Sequence, residues 1–262
     1  MSGEPILELK GLTKRFGGLT AVNDVSFRVA EGGISGLIGP NGAGKTTIFN
    51  LITGVYKVTQ GSIEFKGKPI QDMEPYQVVE RGITRTFQNI RLFKNLTVFD
   101  NVLTACHMAA RYDLGSALLR LPRFRAQEKV LREKAAALLD IIGLTDRAEV
   151  TANNLPYGLQ RRLEITRALA LDPQLILLDE PAAGMNPDET VQLMKLIGEL
   201  RDRFKLSVLV IEHHMDLIMG VCEHIHVLNF GCSLADGTAA EVANDPRVVE
   251  AYLGTEDSTC TC

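Results

Sequence analysis

Short apolar runs alternate with stretches of helical periodicity along most of the chain from Ile6 onward. Such alternation is typical of a mainly parallel β-sheet covered by helices. Apolar runs of this length, bounded by polar or glycine-containing segments, match buried strands, so we predict a strand at each of them. The predicted strands are Ile6–Leu9, Val25–Val29, Ile34–Ile38, Ser62–Phe65, Ile83–Phe87, Leu175–Leu178, Ser207–Ile211 and Ile225–Asn229.

The amino-terminal third and the middle of the chain depart from a simple alternation. The first strands and Ser62–Phe65 lie close together, with connections too short for crossover helices, which predicts that part of this third is antiparallel. Helical periodicity replaces the strand signal from residue 97 to 171, notably at Phe124–Ile142 and Leu159–Leu171. We therefore expect a helical insert over roughly residues 92–171. Within it, Arg111–Arg125 fits equally well a partner-facing surface and a loop leading into a helix.

Composition narrows the class of protein. Of the 262 residues, 45% are hydrophobic and 23% charged, the ordinary balance of a soluble globular protein. The apolar stretches are far shorter than the roughly 20 residues that cross a bilayer, and no positively charged run precedes an apolar block as in a secretory signal. The net charge of -4 argues against a general nucleic-acid binder. We expect a cytosolic, non-integral protein whose five cysteines are reduced.

A glycine-rich segment directly after Ile34–Ile38 fits the phosphate-binding pattern G-x-x-x-x-G-K-[ST]. Its residues are Gly39, Pro40, Asn41, Gly42, Ala43, Gly44, Lys45, Thr46 and Thr47. Glycines let backbone N–H groups face phosphate oxygens, and the following helix presents its positive end to the same anion. We expect Lys45 on the β- and γ-phosphates, the Thr46 hydroxyl on Mg²⁺ and Thr47 on the α-phosphate. The alternative is a glycine-rich turn that happens to contain a lysine.

Two adjacent carboxylates, Asp179 and Glu180, follow the apolar strand Leu175–Leu178. The carboxyl ends of strands are where open α/β sheets bind ligands. Together with the glycine-rich loop, this pattern predicts a Walker B strand, with Asp179 on the metal side and Glu180 placed to polarise the attacking water. The cofactors predicted by the two motifs are ATP and Mg²⁺. The alternative is that both carboxylates cap the next helix.

With these motifs the sequence resembles the nucleotide-binding subunits of ABC transporters, from about Leu7 to Gly254. The resemblance implies an α/β P-loop (RecA-like) core with an amino-terminal antiparallel β subdomain and an inserted helical subdomain. It places the ABC ATPase domain at residues 6–254 and leaves a flexible tail at 255–262.

Further residues match family motifs in their expected order. Gln88 matches the Q-loop glutamine, which in the family reaches Mg²⁺ and the water, and His213 matches the switch histidine that contacts the γ-phosphate. Phe16 matches the A-loop aromatic that stacks on adenine, unless it is a core residue. Asn186 takes the place of the D-loop aspartate, so a charged D-loop contact is in doubt.

The signature motif departs most from the family pattern Leu-Ser-Gly-Gly-Gln. It is replaced here by Leu155, Pro156, Tyr157, Gly158 and Leu159. The leucine and the second glycine remain, and the helix that follows the motif is kept. In the family these residues contact the ATP held by the partner cassette, so Leu155–Gly158 are candidate residues for that contact.

A narrower resemblance is to the ATPase subunits of branched-chain amino acid importers. It rests on Arg85–Phe93, the Tyr-Gly pair of the signature, Asp179–Gly184 and Asp245–Gly254. It implies that ATP binding closes a cassette dimer and that hydrolysis reopens it, driving the membrane subunits.

The partners implied are a second ABC ATPase subunit, different from this chain or identical to it, and two transmembrane permease subunits. A periplasmic or extracellular substrate-binding protein acts indirectly, and no nucleic acid is implied. The chain would then work at the cytoplasmic face of the inner (plasma) membrane. The alternatives are a soluble ABC ATPase acting on ribosomes or DNA, another ABC system such as lipopolysaccharide export, and a non-hydrolysing nucleotide-binding regulator.

Overall fold

A computed structural model describes residues 5–109, 122–212 and 215–253. The chain forms two compact units. The first comprises the residues up to Arg85 and those from Gln174 onward, and the second is Thr86–Pro173.

The segment up to Arg85 begins with a long antiparallel hairpin. Its elements are β1 (Pro5–Phe16), β2 (Leu19–Ala30), β3 (Ile34–Ile38), α1 (Lys45–Ile52), β4 (Gln60–Phe65), β5 (Lys68–Pro69), α2 (Pro75–Glu80) and β6 (Ile83–Arg85). Four of the strands form an antiparallel sheet in the order β2-β1-β4-β5, so the antiparallel prediction is confirmed. β1 runs beyond the predicted Leu9 because Gly11, at φ 57°, accommodates a shift of register between Leu9 and Leu12.

The second unit is mainly helical. Its helices are α3 (Val98–Ala109), α4 (Pro122–Ile141) and α5 (Tyr157–Leu169), with short 3₁₀ turns at Thr145–Arg147 and Ala152–Asn154. The two helices predicted in this region begin and end within two residues of α4 and α5. Helix α3 packs against both of them, burying Val102, Ala135 and Leu163 among other apolar side chains. Of Arg111–Arg125, residues 111–121 lie outside the described residues, and α4 begins directly after them.

From Gln174 onward the chain returns to alternating strands and helices. The elements are β7 (Leu175–Asp179), α6 (Pro187–Phe204), β8 (Ser207–Ile211), α7 (Met215–Val221), β9 (His224–Asn229), β10 (Cys232–Gly237), α8 (Ala239–Ala243) and α9 (Pro246–Leu253). They complete a second sheet in the order β10-β9-β3-β8-β7-β6, in which the pairings are parallel except for that of β10 with β9. The predicted α/β fold class is confirmed.

The observed bounds agree best with the predicted ones for the buried strands and least well for the strands at the sheet edges. Ile34–Ile38 and Ser207–Ile211 have the predicted bounds because all five residues of each are buried in the middle of the sheet. β6 ends at Arg85 rather than Phe87, since its pairing with β7 stops at Arg85 opposite Leu177. The edge strand β10 was not predicted because its residues are mostly partly exposed and it has no apolar run.

The core of the first unit joins the two sheets through α1. Phe49 and Ile52 of α1 are fully buried, together with Leu9 of β1 and Leu209 of β8. Within the described residues, no helix combines the length and the apolar character needed to cross a membrane. The predicted tail at 255–262 lies outside the described part of the chain.

Candidate nucleotide-binding site

The glycine-rich loop follows β3, a central strand of the second sheet, and leads directly into α1. Its glycines are sterically required at two positions. Gly39 has φ 149°, and a Cβ there would lie 2.1 Å from the Leu228 carbonyl oxygen. Gly44 has φ 100°, and a Cβ there would lie 2.8 Å from the Ala21 carbonyl oxygen. The loop is therefore held in a conformation that brings the start of α1 to the carboxyl edge of the sheet.

Lys45 is the first residue of α1, and its side chain turns back onto the loop. Nζ donates hydrogen bonds to the Gly39 oxygen at 2.6 Å and to the Pro40 oxygen at 2.9 Å. The residue is only 7% exposed, and this burial lowers the pKa of Lys45, while Glu180 and Asp179 act in the opposite direction. The lysine and both predicted carboxylates therefore belong to one electrostatic cluster.

The remaining loop residues differ in exposure. Asn41, Gly42 and Thr46 are exposed, and Thr47 is half-buried. A Cβ at Gly42 would meet no atom within 4 Å, so this part of the loop faces open space. The first turn of α1 has the sequence Lys-Thr-Thr-Ile, without an acidic residue. The surface here offers backbone N–H groups, hydroxyls and a lysine, which suits a polyanion.

Asp179 ends β7 in a buried ion pair. Its Oδ2 lies 2.7 Å from an Nη of Arg85, and the two side chains are 5% and 7% exposed. The other Nη of Arg85 donates to Oδ1 of Asn50, on α1, at 2.6 Å. Sequence reasoning did not identify Arg85 or Asn50 as site residues, because the partners lie 94 and 35 positions from Arg85 in the chain.

Glu180 has a strained backbone conformation. Its φ of 45° lies in the left-handed region, which costs a non-glycine residue on the order of 1–3 kcal/mol. Its N–H donates to the Ile211 oxygen at 2.9 Å, which ties this turn to the end of β8. The next helix, α6, is capped by Asn186, whose side chain accepts a hydrogen bond from the Glu189 N–H. The alternative that Asp179 and Glu180 cap this helix is therefore wrong.

Glu212, which follows β8, was also missed from the sequence. It is fully buried, and its Oε1 accepts a hydrogen bond from the Ala182 N–H at 2.9 Å, which fixes the segment after Glu180. The available signal in the sequence was a glutamate at the end of an apolar strand, directly before the predicted switch histidine. His213 itself lies outside the described residues.

Phe16 ends β1 with its ring exposed. Its exposed fraction is 41%, so the alternative that it is a core residue is wrong. The ring meets Tyr56 edge-to-face, with centroids 5.1 Å apart, and Lys14 Nζ lies 4.9 Å from its centroid. An aromatic ring that is held in place by its neighbours and remains partly exposed is suited to stacking.

In the second unit, Arg161 connects Gln88 with the signature residues. Arg161 is fully buried and donates to the backbone oxygens of Phe87 at 2.6 Å and Gln88 at 2.7 Å. It also pairs with Glu164 at 2.7 Å and contacts the Tyr157 hydroxyl at 3.3 Å. The side chain of Gln88 is exposed. Arg161 was not among the predicted site residues.

The signature residues begin α5 without a side-chain cap. Leu155 is buried, whereas Pro156 is the exposed N-cap and Tyr157 is 43% exposed. Gly158 is half-buried in the first turn. Since proline has neither a hydroxyl nor an N–H, this helix start offers only the N–H groups of the residues that follow.

The donor set suits a nucleoside triphosphate with Mg²⁺. Mg²⁺ prefers hard oxygen ligands, which the Thr46 hydroxyl and the Asp179 carboxylate supply, and it is usually shared with phosphate oxygens. The glycine loop and Lys45 complement those phosphates.

Comparisons with known proteins are consistent with this chemistry. The ABC transporter family profile matches residues 22–183. The chain belongs to the ABC transporter family. A second profile, that of the branched-chain amino acid ATP-binding cassette transporter, matches residues 234–258, which include most of β10 and all of α8 and α9.

Relatives and solved structures of this family resemble the chain over almost all of its length. The chain is 47% identical over 251 residues to the high-affinity branched-chain amino acid transport ATP-binding protein LivG of Salmonella typhimurium, covering 96% of this chain and 98% of the relative. It is 47% identical over 250 residues to BraF of Pseudomonas aeruginosa, which carries the same description, covering 95% and 98%. A solved ATP-binding cassette of an ABC transporter in its ADP conformation superposes with a TM-score of 0.84 at 32% identity, covering 96% of this chain and all of that one. The chain is thus an ABC-type ATPase cassette.

Proposed function

We propose that this cassette is the ATP-hydrolysing subunit of an importer for branched-chain amino acids. The observation that carries the proposal is that the glycine loop and the Asp179–Glu180 pair follow the carboxyl ends of β3 and β7 in one sheet, where Arg85 links Asp179 to α1. The substrate class rests on the descriptions of the relatives and on the match at residues 234–258.

In this proposal each motif binds or orients one part of the nucleotide. Phe16 stacks on adenine, and the N–H groups of the loop Gly39–Thr47 and Lys45 bind the phosphates. Thr46, Gln88 and Asp179 hold Mg²⁺, which when bound neutralises charge on the phosphates. Glu180 polarises the attacking water, and His213 contacts the γ-phosphate.

The altered signature bears on the partner cassette, and the other proposed partners rest on the family resemblance. Leu155–Gly158 contact ATP held by a second ABC ATPase subunit, and the missing hydroxyl at Pro156 favours a different subunit over an identical one. Two transmembrane permease subunits convert closure and reopening of the cassettes into transport, and a periplasmic or extracellular binding protein delivers the amino acid. The chain works at the cytoplasmic face of the membrane.

The hydrolysis step is tested by Glu180→Gln. This change keeps the side chain's shape but removes the carboxylate that polarises water, so turnover should fall by at least about a hundredfold while ATP binding is retained. Glu199→Gln, the same change at an exposed position of α6, is the matched control and should keep wild-type turnover. Near-normal turnover of the Glu180 variant in the assembled complex would contradict the assignment.

The substrate class is tested in proteoliposomes that contain the cassettes, the membrane subunits and the binding protein. Leucine-loaded binding protein should stimulate ATP hydrolysis and leucine uptake, and both should disappear with Glu180→Gln. Stimulation of ATP hydrolysis by lipopolysaccharide, with no response to leucine, would instead favour an export system.

A further inference from the structure

Arg85 joins two elements of the nucleotide site that lie far apart in the chain. At the end of β6, its guanidinium binds Oδ2 of Asp179 at 2.7 Å with one Nη and Oδ1 of Asn50 at 2.6 Å with the other. Asn50 lies on α1, the helix that begins with Lys45 and Thr46. A single side chain therefore spans from the carboxylate expected to face Mg²⁺ to the helix expected to bind phosphate.

The geometry makes this link rigid. The side chains of Arg85 and Asp179 are almost completely buried, so water competes little for the ion pair. The guanidinium also lies over the Phe49 ring, with its central carbon 5.5 Å from the ring centroid. A planar group with two hydrogen-bonded arms and an aromatic ring beside it has little rotational freedom. Lysine does not reproduce this arrangement, because its ammonium is a compact charge on a flexible stem.

The link also decides which carboxylate oxygen Asp179 can offer. Arg85 binds Oδ2, so Oδ1 is the oxygen that this arginine leaves for another cation. Hydrogen-bonding partners of this kind orient metal ligands, and their loss typically lowers metal affinity about tenfold to a hundredfold.

We propose that Arg85 is a positioning residue that holds Asp179 in register with α1 and thereby sets the Mg²⁺-dependent part of ATP binding. This inference rests on the proposed function, because it assigns Asp179 to the metal. It does not depend on the identity of the transported molecule.

A positioning role and a purely structural role differ in their dependence on the metal. If Arg85 positions Asp179, its loss should leave metal-free ATP binding intact, because the hydrogen bonds of Lys45 to the Gly39 and Pro40 oxygens hold the phosphate-binding loop independently of Asp179. If Arg85 only stabilises the unit, its loss should weaken ATP binding equally with and without Mg²⁺.

The test measures the affinity of the full chain for a fluorescent ATP analogue, once in excess Mg²⁺ and once in EDTA. Arg85→Gln should weaken binding in Mg²⁺ by about tenfold or more and leave binding in EDTA unchanged. Arg85→Lys should lie between this variant and wild type, because it retains the charge but not the two-armed contact. Arg28→Gln is the matched control, since Arg28 forms an exposed ion pair with Glu8.

Two further variants keep the test decisive if Arg85→Gln folds poorly. Asn50→Ala retains the ion pair but removes the anchor to α1. It should therefore also weaken ATP binding in Mg²⁺, by a smaller factor than Arg85→Gln does. In an Asp179→Asn background, Arg85→Gln should cause no further loss of Mg²⁺-dependent binding, because its target is gone.

Equal weakening in Mg²⁺ and EDTA, or no effect of the Arg85 and Asn50 variants in either, would overturn the inference. A wild-type chain whose affinity is the same in Mg²⁺ and EDTA would overturn it together with the proposed metal site. If leucine failed to stimulate the wild-type complex in proteoliposomes, but Arg85→Gln still weakened ATP binding in Mg²⁺ and not in EDTA, only the importer assignment would be overturned.

Discussion

Helices α1 and α6 both follow strands of the same sheet, but their first turns are completed in different ways. Helix α6 is closed by a capping box, in which Asn186 Oδ1 accepts from the Glu189 N–H at 2.9 Å and the Asn186 N–H donates to Glu189 Oε2 at 3.1 Å. Helix α1 begins after Gly44, which has no side chain to accept from the N–H groups. Asp188 and Glu189 are acidic residues in the first turn of α6, whereas α1 starts with Lys45.

The difference separates a helix start that stabilises the fold from one that is suited to a ligand. The first N–H groups of a helix have no partner within the helix, so a cap, water or a ligand must accept from them. A capping box satisfies two donors internally, whereas glycine leaves them for an outside anion. Helix α5 of the second unit also begins without a side-chain cap, after Pro156. By this comparison, α1 and α5 are the helix starts suited to phosphate, and α6 is not.

Among changes at these helix starts, the largest effect should come from Lys45→Ala. This change removes the ammonium group that is proposed to bind the phosphates, and no other group replaces it. ATP affinity should therefore fall about tenfold to a hundredfold. The unfolding midpoint should change little, because Nζ binds the Gly39 and Pro40 oxygens of the loop rather than the core. Isothermal titration with ATP and a thermal melt measure the two quantities. Lys195→Ala, an exposed lysine of α6, is the control, and equal affinities of the two variants would contradict the role of α1.

A smaller effect should come from Pro156→Ser in the purified chain alone, where each ATP must be covered by this chain's own signature. Serine restores a hydroxyl and an N–H that can bind the phosphates of the ATP in the other cassette. A hydrogen bond to a charged group stabilises the closed pair enough to raise ATPase turnover about tenfold. A single substitution is preferable to rebuilding the whole motif, because Tyr157 contacts the buried Arg161 and its loss would disturb that network.

Pro156→Ala is the matched control for this gain, since alanine restores the N–H but not the hydroxyl. Serine is also a better N-cap than alanine, by about 1 kcal/mol, so the thermal midpoints of both variants must be measured alongside turnover. Equal turnover in wild type and Pro156→Ser, at equal self-association, would mean that the remaining N–H groups and the helix dipole bind phosphate well enough.

The parts of the site that are local in sequence were predictable, and the parts formed by distant contacts were not. Gly39–Thr47 is one continuous segment after a fully buried strand, and Asp179 and Glu180 lie at the end of another, so the position in the fold agrees with the sequence pattern. Arg85 and Glu212 are also polar residues at strand ends. Their partners, 94 and 30 positions away in the chain, depend on the order of strands in the sheet, which the sequence pattern does not specify.

The same reasoning explains where the observed strand limits differ from the predicted ones. The apolar runs of β3 and β8 specify their own limits because every residue in them is buried. β10 and the second half of β1 contain exposed positions and a register shift, so their limits depend on the neighbouring strand rather than on their own composition. Arg161 escaped prediction because an arginine on an amphipathic helix is usually exposed, whereas here two carbonyl oxygens and Glu164 compensate its burial.

The smallest effect should come from Asn186→Ala at the start of α6. Loss of this cap leaves the Glu189 N–H without its acceptor, which costs about 1 kcal/mol and lowers the thermal midpoint by about 2–4 °C. Asn186→Asp retains the acceptor and places a negative charge at the positive end of the helix, so its midpoint should match or exceed that of wild type. Neither variant should change ATP affinity in the isolated chain, because the capping box satisfies these donors without a ligand. If Asn186→Ala weakened ATP binding as Lys45→Ala does, the start of α6 would also serve the nucleotide, and the contrast between the two helix starts would fail.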